Sequence, residues 1–343
     1  MVWWRRDRVK LGVAVFELTD ACNQACRFCY NYFKGDASPR AIAPPDYRQA
    51  RHTLKQLLRQ AEIGSISFSG GEPMLMPKVH DLALKARFGG ANVNILTNGT
   101  LLTENDIAIF NDIGIGKMQI PILADCATIH DNITQRVGTW ERAMRAARNV
   151  AATKGEWLVP VMILSRMNIE RIEATMVLYK ELGASLVMVN RFNIGGLGKH
   201  HAAELSLSHE ELRDAFRRVD KSAGELGMKV HSGVCTPMCI LDPREYPNIM
   251  FTHCSTDFSQ RPLTINYRGE VRFCNHSPRI LGNIHEESLG SIIERANGDS
   301  YFTTTPSRCA DCKLWERCRG GCRAAAEQLY GTFDRADPVM DIT

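Results

Sequence analysis

Through the first two-thirds of this 343-residue chain, apolar runs of strand length alternate with longer segments of helical period. That alternation constrains the fold more than any other feature. Strands are expected at 12–18, 65–68, 93–96, 118–123, 158–164 and 186–189. Helices are expected between them. The first starts at Pro44-Pro45-Asp46, carries Leu54, Leu57, Leu58 and Ala61 on one face, and ends at Gly64. Others are expected at 79–88, 103–113, 139–153 and 169–182, with Thr103 as a cap and Gly114 after the helix it begins. Repeated strand–helix units imply parallel strands covered by helices, in an open sheet or a partial barrel. Periodicity does not choose between the two. A helix at 207–226 follows, with Ser208 as its cap. From about Cys235 helical periodicity fades, prolines appear and cysteines accumulate. The domain boundary is placed near 230, giving domains 1–230 and 231–343, and residues 334–343 read as a tail.

The first strand leads into Cys22-Asn23-Gln24-Ala25-Cys26-Arg27-Phe28-Cys29. Three closely spaced thiolates can cap three corners of a cubic iron–sulfur cluster and leave one iron open. An odd trio is a poor disulfide framework, and structural zinc usually has a fourth ligand close by. Eleven of the twelve cysteines fall into two clusters, and Cys126 stands alone. In a chain without a signal peptide that pattern means metal or redox chemistry in a reducing cytoplasm.

Downstream lies Ser69-Gly70-Gly71-Glu72-Pro73. The CxxxCxxC loop after a strand, together with this GGEP run, resembles the radical S-adenosylmethionine (SAM) superfamily. The resemblance implies a partial (βα)6 barrel, with the cluster where the loops after the strands lie. It implies that Cys22, Cys26 and Cys29 hold a [4Fe–4S] cluster, and that SAM chelates its fourth iron. By the same resemblance Gly70, Gly71, Glu72 and Pro73 meet the SAM amino group, with Glu72 able to pair with the ammonium. Phe28 would lie by the adenine. Asn98, in Thr97-Asn98-Gly99-Thr100, is either a pocket contact or an ordinary turn residue. Pro121, Leu123 and Ala124 replace the serine, aspartate and glycine of a family motif, so His130 reads as a packed residue. Arg191 is either a carboxylate binder or one half of a structural salt bridge.

Cys254 is followed by Gly269 and Cys274, across a hairpin turn at 267–271, and then by Cys309-x2-Cys312-x5-Cys318-x3-Cys322. This resembles the SPASM extension, whose cysteines hold one or two auxiliary iron–sulfur clusters. A pair of zinc sites is the alternative. By analogy, the first auxiliary cluster takes Cys254, Cys274, Cys322 and an upstream cysteine, for which Cys239 is chosen. The second takes Cys309, Cys312 and Cys318. Met340 stands where the family has its last cysteine. Asp337, a solvent hydroxide, Cys235 or substrate would then supply the fourth ligand.

The net charge of +4 and the lack of a concentrated basic stripe argue against nucleic acid, and no apolar run spans a bilayer. Trp3 and Trp4 are expected to pack on the first strand. The family implies reductive cleavage of SAM to methionine and a 5′-deoxyadenosyl radical, which removes a substrate hydrogen. Peptide or protein modification by cross-linking, epimerisation or oxidation is the leading reading, similar to the pyrroloquinoline quinone and mycofactocin maturase group. A porphyrin-related branch and an iron–sulfur redox or sensor protein are the alternatives. The implied partners are a flavodoxin or ferredoxin as electron donor, and either a separate leader-peptide-binding protein or the barrel mouth. Changing Cys22, Cys26 and Cys29 together to alanine is expected to abolish 5′-deoxyadenosine formation while the auxiliary clusters persist. Chromatography of the reaction products and iron analysis check this, and undiminished SAM cleavage would refute it.

Overall fold

The computed structural model describes residues 8–34 and 43–342. Trp3 and Trp4 lie outside the described residues. The strands are β1 (Val9–Thr19), β2 (Ala61–Gly70), β3 (Asn92–Leu96), β4 (Met118–Pro121), β5 (Leu158–Leu164), β6 (Leu186–Arg191), β7 (Lys229–Ser232), β8 (Ile249–Phe251), β9 (Leu263–Asn266), β10 (Glu270–Arg272) and β11 (Ile280–Asn283). Among the described residues they form one sheet in the order β11-β10-β9-β1-β2-β3-β4-β5-β6-β7-β8. Every pair from β1 to β8 is parallel. The two ends do not pair, so this is a partial barrel with added strands at both edges.

The crossover helices are α1 (Tyr47–Gln60), α2 (Val79–Phe88), α3 (Glu104–Ile113), α4 (Ala127–Thr134), α5 (Thr139–Thr153), α6 (Ile172–Glu181), α7 (Ala202–Leu205) and α8 (His209–Leu226). Each buries one stripe. α1 turns Ala50, Thr53, Leu54 and Leu57 inward, and α5 does so with Ala143, Met144, Ala146, Ala147 and Val150. Each large aliphatic side chain so buried contributes about 1.5–3 kcal/mol. Caps set the starts as expected. Thr103 and Ser208 each make a reciprocal capping box, with Asp106 and Glu211, and Gly114 closes α3 in the left-handed region at φ 71°.

Several boundaries differ from the sequence reading. α1 ends at Gln60, and Gly64 lies inside β2, where an added Cβ would stand 2.9 Å from the Gly12 carbonyl oxygen of β1. The glycine serves strand packing, not helix termination. α4 carries the partly polar run 127–134 and was not foreseen. Residues 334–342 do not form a loose tail. Asp337, Val339 and Met340 are buried, and His209 Nε2 meets the Val339 carbonyl at 2.8 Å.

The cysteine-rich segment joins the sheet on the far side of β1. β9 pairs parallel to β1, with Ala14 opposite Leu263 and Glu17 opposite Asn266. β9 and β10 form the expected hairpin, with Gly269 at φ 89°. Glu17 of β1 and Arg272 of β10 form an ion pair that is essentially solvent-free. Arg272 also donates to the Ser277 carbonyl at 2.7 Å. Of the remaining helices, α9 (Leu289–Ala296) packs on β11 and α1; α10 (Ser300–Thr303), α11 (Trp315–Cys318) and α12 (Arg323–Tyr330) follow, and Gln328 of α12 donates to the Tyr30 and His276 carbonyls at 3.0 and 2.6 Å. Glu17→Gln leaves a buried guanidinium unpaired and is expected to cost about 3–5 kcal/mol. Glu17→Leu combined with Arg272→Met is expected to recover most of that loss. Anaerobic urea unfolding followed by far-UV circular dichroism checks both.

Candidate functional site

All six barrel strands open their C-terminal ends on the same face, so the loops after them share one mouth. Cys22, Gly70, Asn98 and Arg191 all lie at that end. The Cys26–Cys29 turn is closed by the Cys29 N–H on the Cys26 carbonyl, at 3.0 Å. Burial, and then the neighbouring thiols of Cys29 and Cys22, push the Cys26 thiol up. Burial does the same to Cys29. The desolvated thiols of Cys26 and Cys29 resist ionising on their own, and a bound cationic centre removes that resistance. Lys34 is the cation brought to them. It hydrogen-bonds Cys22 and donates to the Gln24 carbonyl at 2.9 Å. Burial opposes its charge, but the thiols of Cys29 and Cys22 hold its pKa above the ordinary lysine value. Nothing in the motif's spacing pointed to Lys34.

The GGEP run is bonded to this loop. The Gly71 N–H donates to the Thr19 carbonyl at 2.7 Å, and the Glu72 N–H to the Ala21 carbonyl at 2.8 Å. A Cβ on Gly71 would stand 2.1 Å from the Ala21 oxygen, and Gly70 sits at φ 125°. Only glycine permits that approach. The Glu72 side chain is wholly buried and accepts from Thr97 Oγ1 (2.6 Å), the Asn98 N–H (2.8 Å) and the Met74 N–H (2.9 Å). Its carboxylate therefore ties the end of β2 to the loop after β3. Asn98 Nδ2 donates to Asn23 Oδ1 at 2.8 Å, and Asn98 Oδ1 accepts from the Thr100 N–H at 2.9 Å. Asn98 thus braces the cysteine loop from the β3 side. Phe28 packs on Phe192, Ile194 and Leu205, beside the glycine loop 195–198. His130 is buried on α4, where Nδ1 accepts the Leu123 N–H at 3.2 Å and burial lowers its pKa to about 4. It is packed, as expected.

The C-terminal thiols separate into two groups. Cys235, Cys254, Cys274 and Cys322 interact with one another, and Cys235 hydrogen-bonds Cys254. Cys239 stands instead with Cys312 and Cys318, and Cys309 interacts with all three. The expectation that Cys239 accompanies Cys254, Cys274 and Cys322 is corrected: Cys235 is the upstream thiol of that group. Its i+4 neighbour projects the other way because residues 237–241 turn, with the Leu241 N–H on the Pro237 carbonyl at 3.1 Å. Asp337 is also not a free ligand. It pairs with Arg191 inside the mouth, and its Oδ2 accepts the Cys322 N–H at 2.6 Å. Arg191 is the structural salt bridge of its two readings.

Among the described residues no three His, Cys, Asp or Glu side chains converge tightly enough for one metal ion. The first group also has charge suited to an anionic cluster. Arg261 and Arg323 are buried, and neither has a carboxylate partner among the described residues. The hydrogen bond from Cys235, against burial, and then the Arg261 guanidinium hold the Cys254 thiol low. Arg323 Nη2 has no hydrogen-bond partner. Asn193 Nδ2 donates to Cys322 Sγ at 3.3 Å, and His276 Nδ1 lies 3.3 Å from the same sulfur. The His276 ring stacks edge-on with Tyr30, the residue after Cys29, at 4.9 Å. The first thiol loop and this group are thus joined by two aromatic rings. Asn193 and His276 carried no motif signal, since only the fold brings them to Cys322.

Residues 16–178 match the family model described as the Radical SAM superfamily, and residues 254–322 match SPASM, an iron–sulfur cluster-binding domain. The chain is a radical SAM protein with a SPASM domain. The cofactors of this pair of domains are a SAM-binding [4Fe–4S] cluster, SAM itself and auxiliary iron–sulfur clusters, and the thiol sets described above fit them. Among curated proteins the chain is 28% identical over 337 residues to the PqqA peptide cyclase of Gluconobacter oxydans (strain 621H), covering 95% of this chain and 89% of that protein. It is 28% identical over 340 residues to the PqqA peptide cyclase of Xanthomonas oryzae pv. oryzae (strain MAFF 311018), covering 95% and 87%. Its fold matches Streptococcus suis SuiB bound to S-adenosylmethionine with a TM-score of 0.72 at 15% identity, over 97% of this chain and 78% of that one. It matches native anSMEcpe with bound AdoMet at 0.70 and 17% identity, over 96% and 94%.

Removing the donor to Cys322 without changing the thiols isolates the effect of that hydrogen bond. Asn193→Leu is expected to retain iron and to make the auxiliary potential more negative, because an N–H on a thiolate stabilises the reduced state. Redox titration followed by electron paramagnetic resonance checks this. An unchanged potential would show that Asn193 only packs.

Proposed function

We propose that this protein modifies a ribosomally made peptide or protein by radical chemistry. The observation that carries the reading is the resemblance to PqqA peptide cyclases along 95% of the chain. Geometry supports it: one barrel mouth holds the three-thiol loop, the GGEP run bonded to that loop, and a second thiol group two rings away. The bound cluster and SAM supply a 5′-deoxyadenosyl radical that takes a hydrogen atom from the substrate.

The chain's own residues have distinct tasks in this reading. Cys22, Cys26 and Cys29 hold the SAM cluster, and Lys34 offsets its thiolate charge. Gly70, Gly71, Glu72 and Pro73 shape the wall that meets SAM, with Asn98 bracing it and Phe28 offering an apolar face to the adenine. The auxiliary thiols would hold iron–sulfur clusters, which can take up the electron left when the substrate radical becomes a closed-shell product. The division between the barrel and the auxiliary-cluster region falls near residue 230. Among the described residues no helix is long and apolar enough to cross a membrane. The reading places the protein in the cytoplasm, with a flavodoxin- or ferredoxin-type donor and either a leader-binding partner protein or the barrel mouth to hold the peptide.

The test is anaerobic turnover with SAM, a reductant and candidate precursor peptides. Substrate-dependent 5′-deoxyadenosine together with loss of a hydrogen pair from the peptide is the expected result for a cross-link or oxidation. An unchanged mass with deuterium uptake at a backbone carbon is the result for epimerisation. A reduced, fully loaded protein that never releases 5′-deoxyadenosine would leave only the redox or sensor reading.

A further inference from the structure

The SPASM resemblance leaves the second auxiliary site one thiolate short, because Met340 stands at the last cysteine position. The structure removes three candidates for that position. Both oxygens of Asp337 are occupied: Oδ2 by Arg191 and the Cys322 N–H, and Oδ1 by the Val339 N–H at 3.0 Å. Met340 is buried in the core, with its carbonyl bound by Arg308 Nη1 at 3.0 Å, and a thioether is a weak ligand for such iron. Cys235 belongs to the other group.

A different segment reaches the site. Residues 237–241 form a tight turn, with the Ile240 N–H on the Pro237 carbonyl at 2.9 Å, and Arg213 of α8 holds the Ile240 carbonyl at 2.9 Å. The turn lies against the loop that ends the CX2CX5CX3C run. A Cβ on Gly321 would stand 2.7 Å from the Pro237 ring, and Gly321 has φ 83°. The Met238 N–H donates to Cys318 Sγ at 3.4 Å. The next residue is Cys239, an exposed thiol beside Cys312 and Cys318.

We propose that Cys239 is the fourth thiolate of the second auxiliary site, completing Cys309, Cys312 and Cys318 in place of the cysteine replaced by Met340. Cys235, Cys254, Cys274 and Cys322 then complete the first. Both auxiliary sites are closed by four thiolates, so neither offers an open iron to substrate. The SAM site alone, with three thiolates, keeps an open position. This inference rests on the SPASM domain and holds whatever substrate the enzyme takes.

Two measurements test it. In the first, the intact chain is loaded anaerobically with iron and sulfide and alkylated with iodoacetamide. Cys126, a partly exposed thiol outside every group, reports free-thiol labelling. Cys239 is expected to be protected in the loaded chain and to be labelled after iron is chelated. Labelling of Cys239 as fast as Cys126 in the loaded chain would overturn the proposal. The second measurement counts iron in variants that carry Cys22, Cys26 and Cys29 as alanine, so that only auxiliary iron remains, about eight per chain. Cys239→Ala is expected to halve it. Adding Cys309→Ala should remove no more, whereas adding Cys254→Ala should remove the rest. The reverse pattern, or about four irons before any Cys239 change, would overturn the assignment. Cys239→Ser, with far-UV circular dichroism of each variant, separates ligand loss from misfolding.

Discussion

The pairing of β9 with β1 is the contact on which the arrangement of this molecule depends. β1 carries the three-thiol loop at its C-terminal end, and its outer edge would otherwise be open. Covering that edge with Leu263–Asn266 satisfies its backbone and brings the cysteine-rich region alongside the barrel. The Glu17–Arg272 pair favours this register, since a slip would separate two buried charges. Through this edge Cys274, three residues before Ser277 and two after Arg272, reaches the rim of the mouth. The sheet is therefore continuous across the two regions, and the C-terminal thiols are fixed relative to the three-thiol loop by strand geometry.

Charge organises the mouth as strongly as packing does. The three-thiol loop and the group around Cys254 are largely enclosed, and burial disfavours thiolates, whereas Cys239 and Cys312 of the other group are exposed. Counter-charges are built in differently at each place. Lys34 serves the first loop, while Arg261 and Arg323 serve the group around Cys254. Arg261 is surrounded by the rings of Phe258, Phe273, Tyr301 and Phe302 at 4.9–5.8 Å, which hold its guanidinium without consuming its charge. Arg191 is the contrasting case. Asp337 neutralises it, and the pair pins the C-terminal segment across the barrel mouth. That segment also supplies an acceptor to the Cys322 N–H, so the position of one auxiliary thiol depends on the last few residues of the chain.

What the sequence determined by itself was the local chemistry and the repeating unit. The strand–helix alternation marked all six barrel strands, because each buried strand and amphipathic helix writes its own periodicity. The CxxxCxxC loop, the GGEP run and the CX2CX5CX3C run were legible because their residues are close in sequence and their chemistry requires fixed residue types. Capping at Thr103 and Ser208 was legible for the same local reason. Tertiary structure alone decided which distant residues meet. Gly64 looked like a helix stop because its partner, the Gly12 carbonyl, is on another strand. Cys235 and Cys239 are four residues apart and look alike, yet the turn at Pro237 sends them to different thiol groups. The ends of the chain's contacts, β9 on β1 and Asp337 on Arg191, join residues far apart in sequence, and pairing across such distances leaves no periodic trace in the chain.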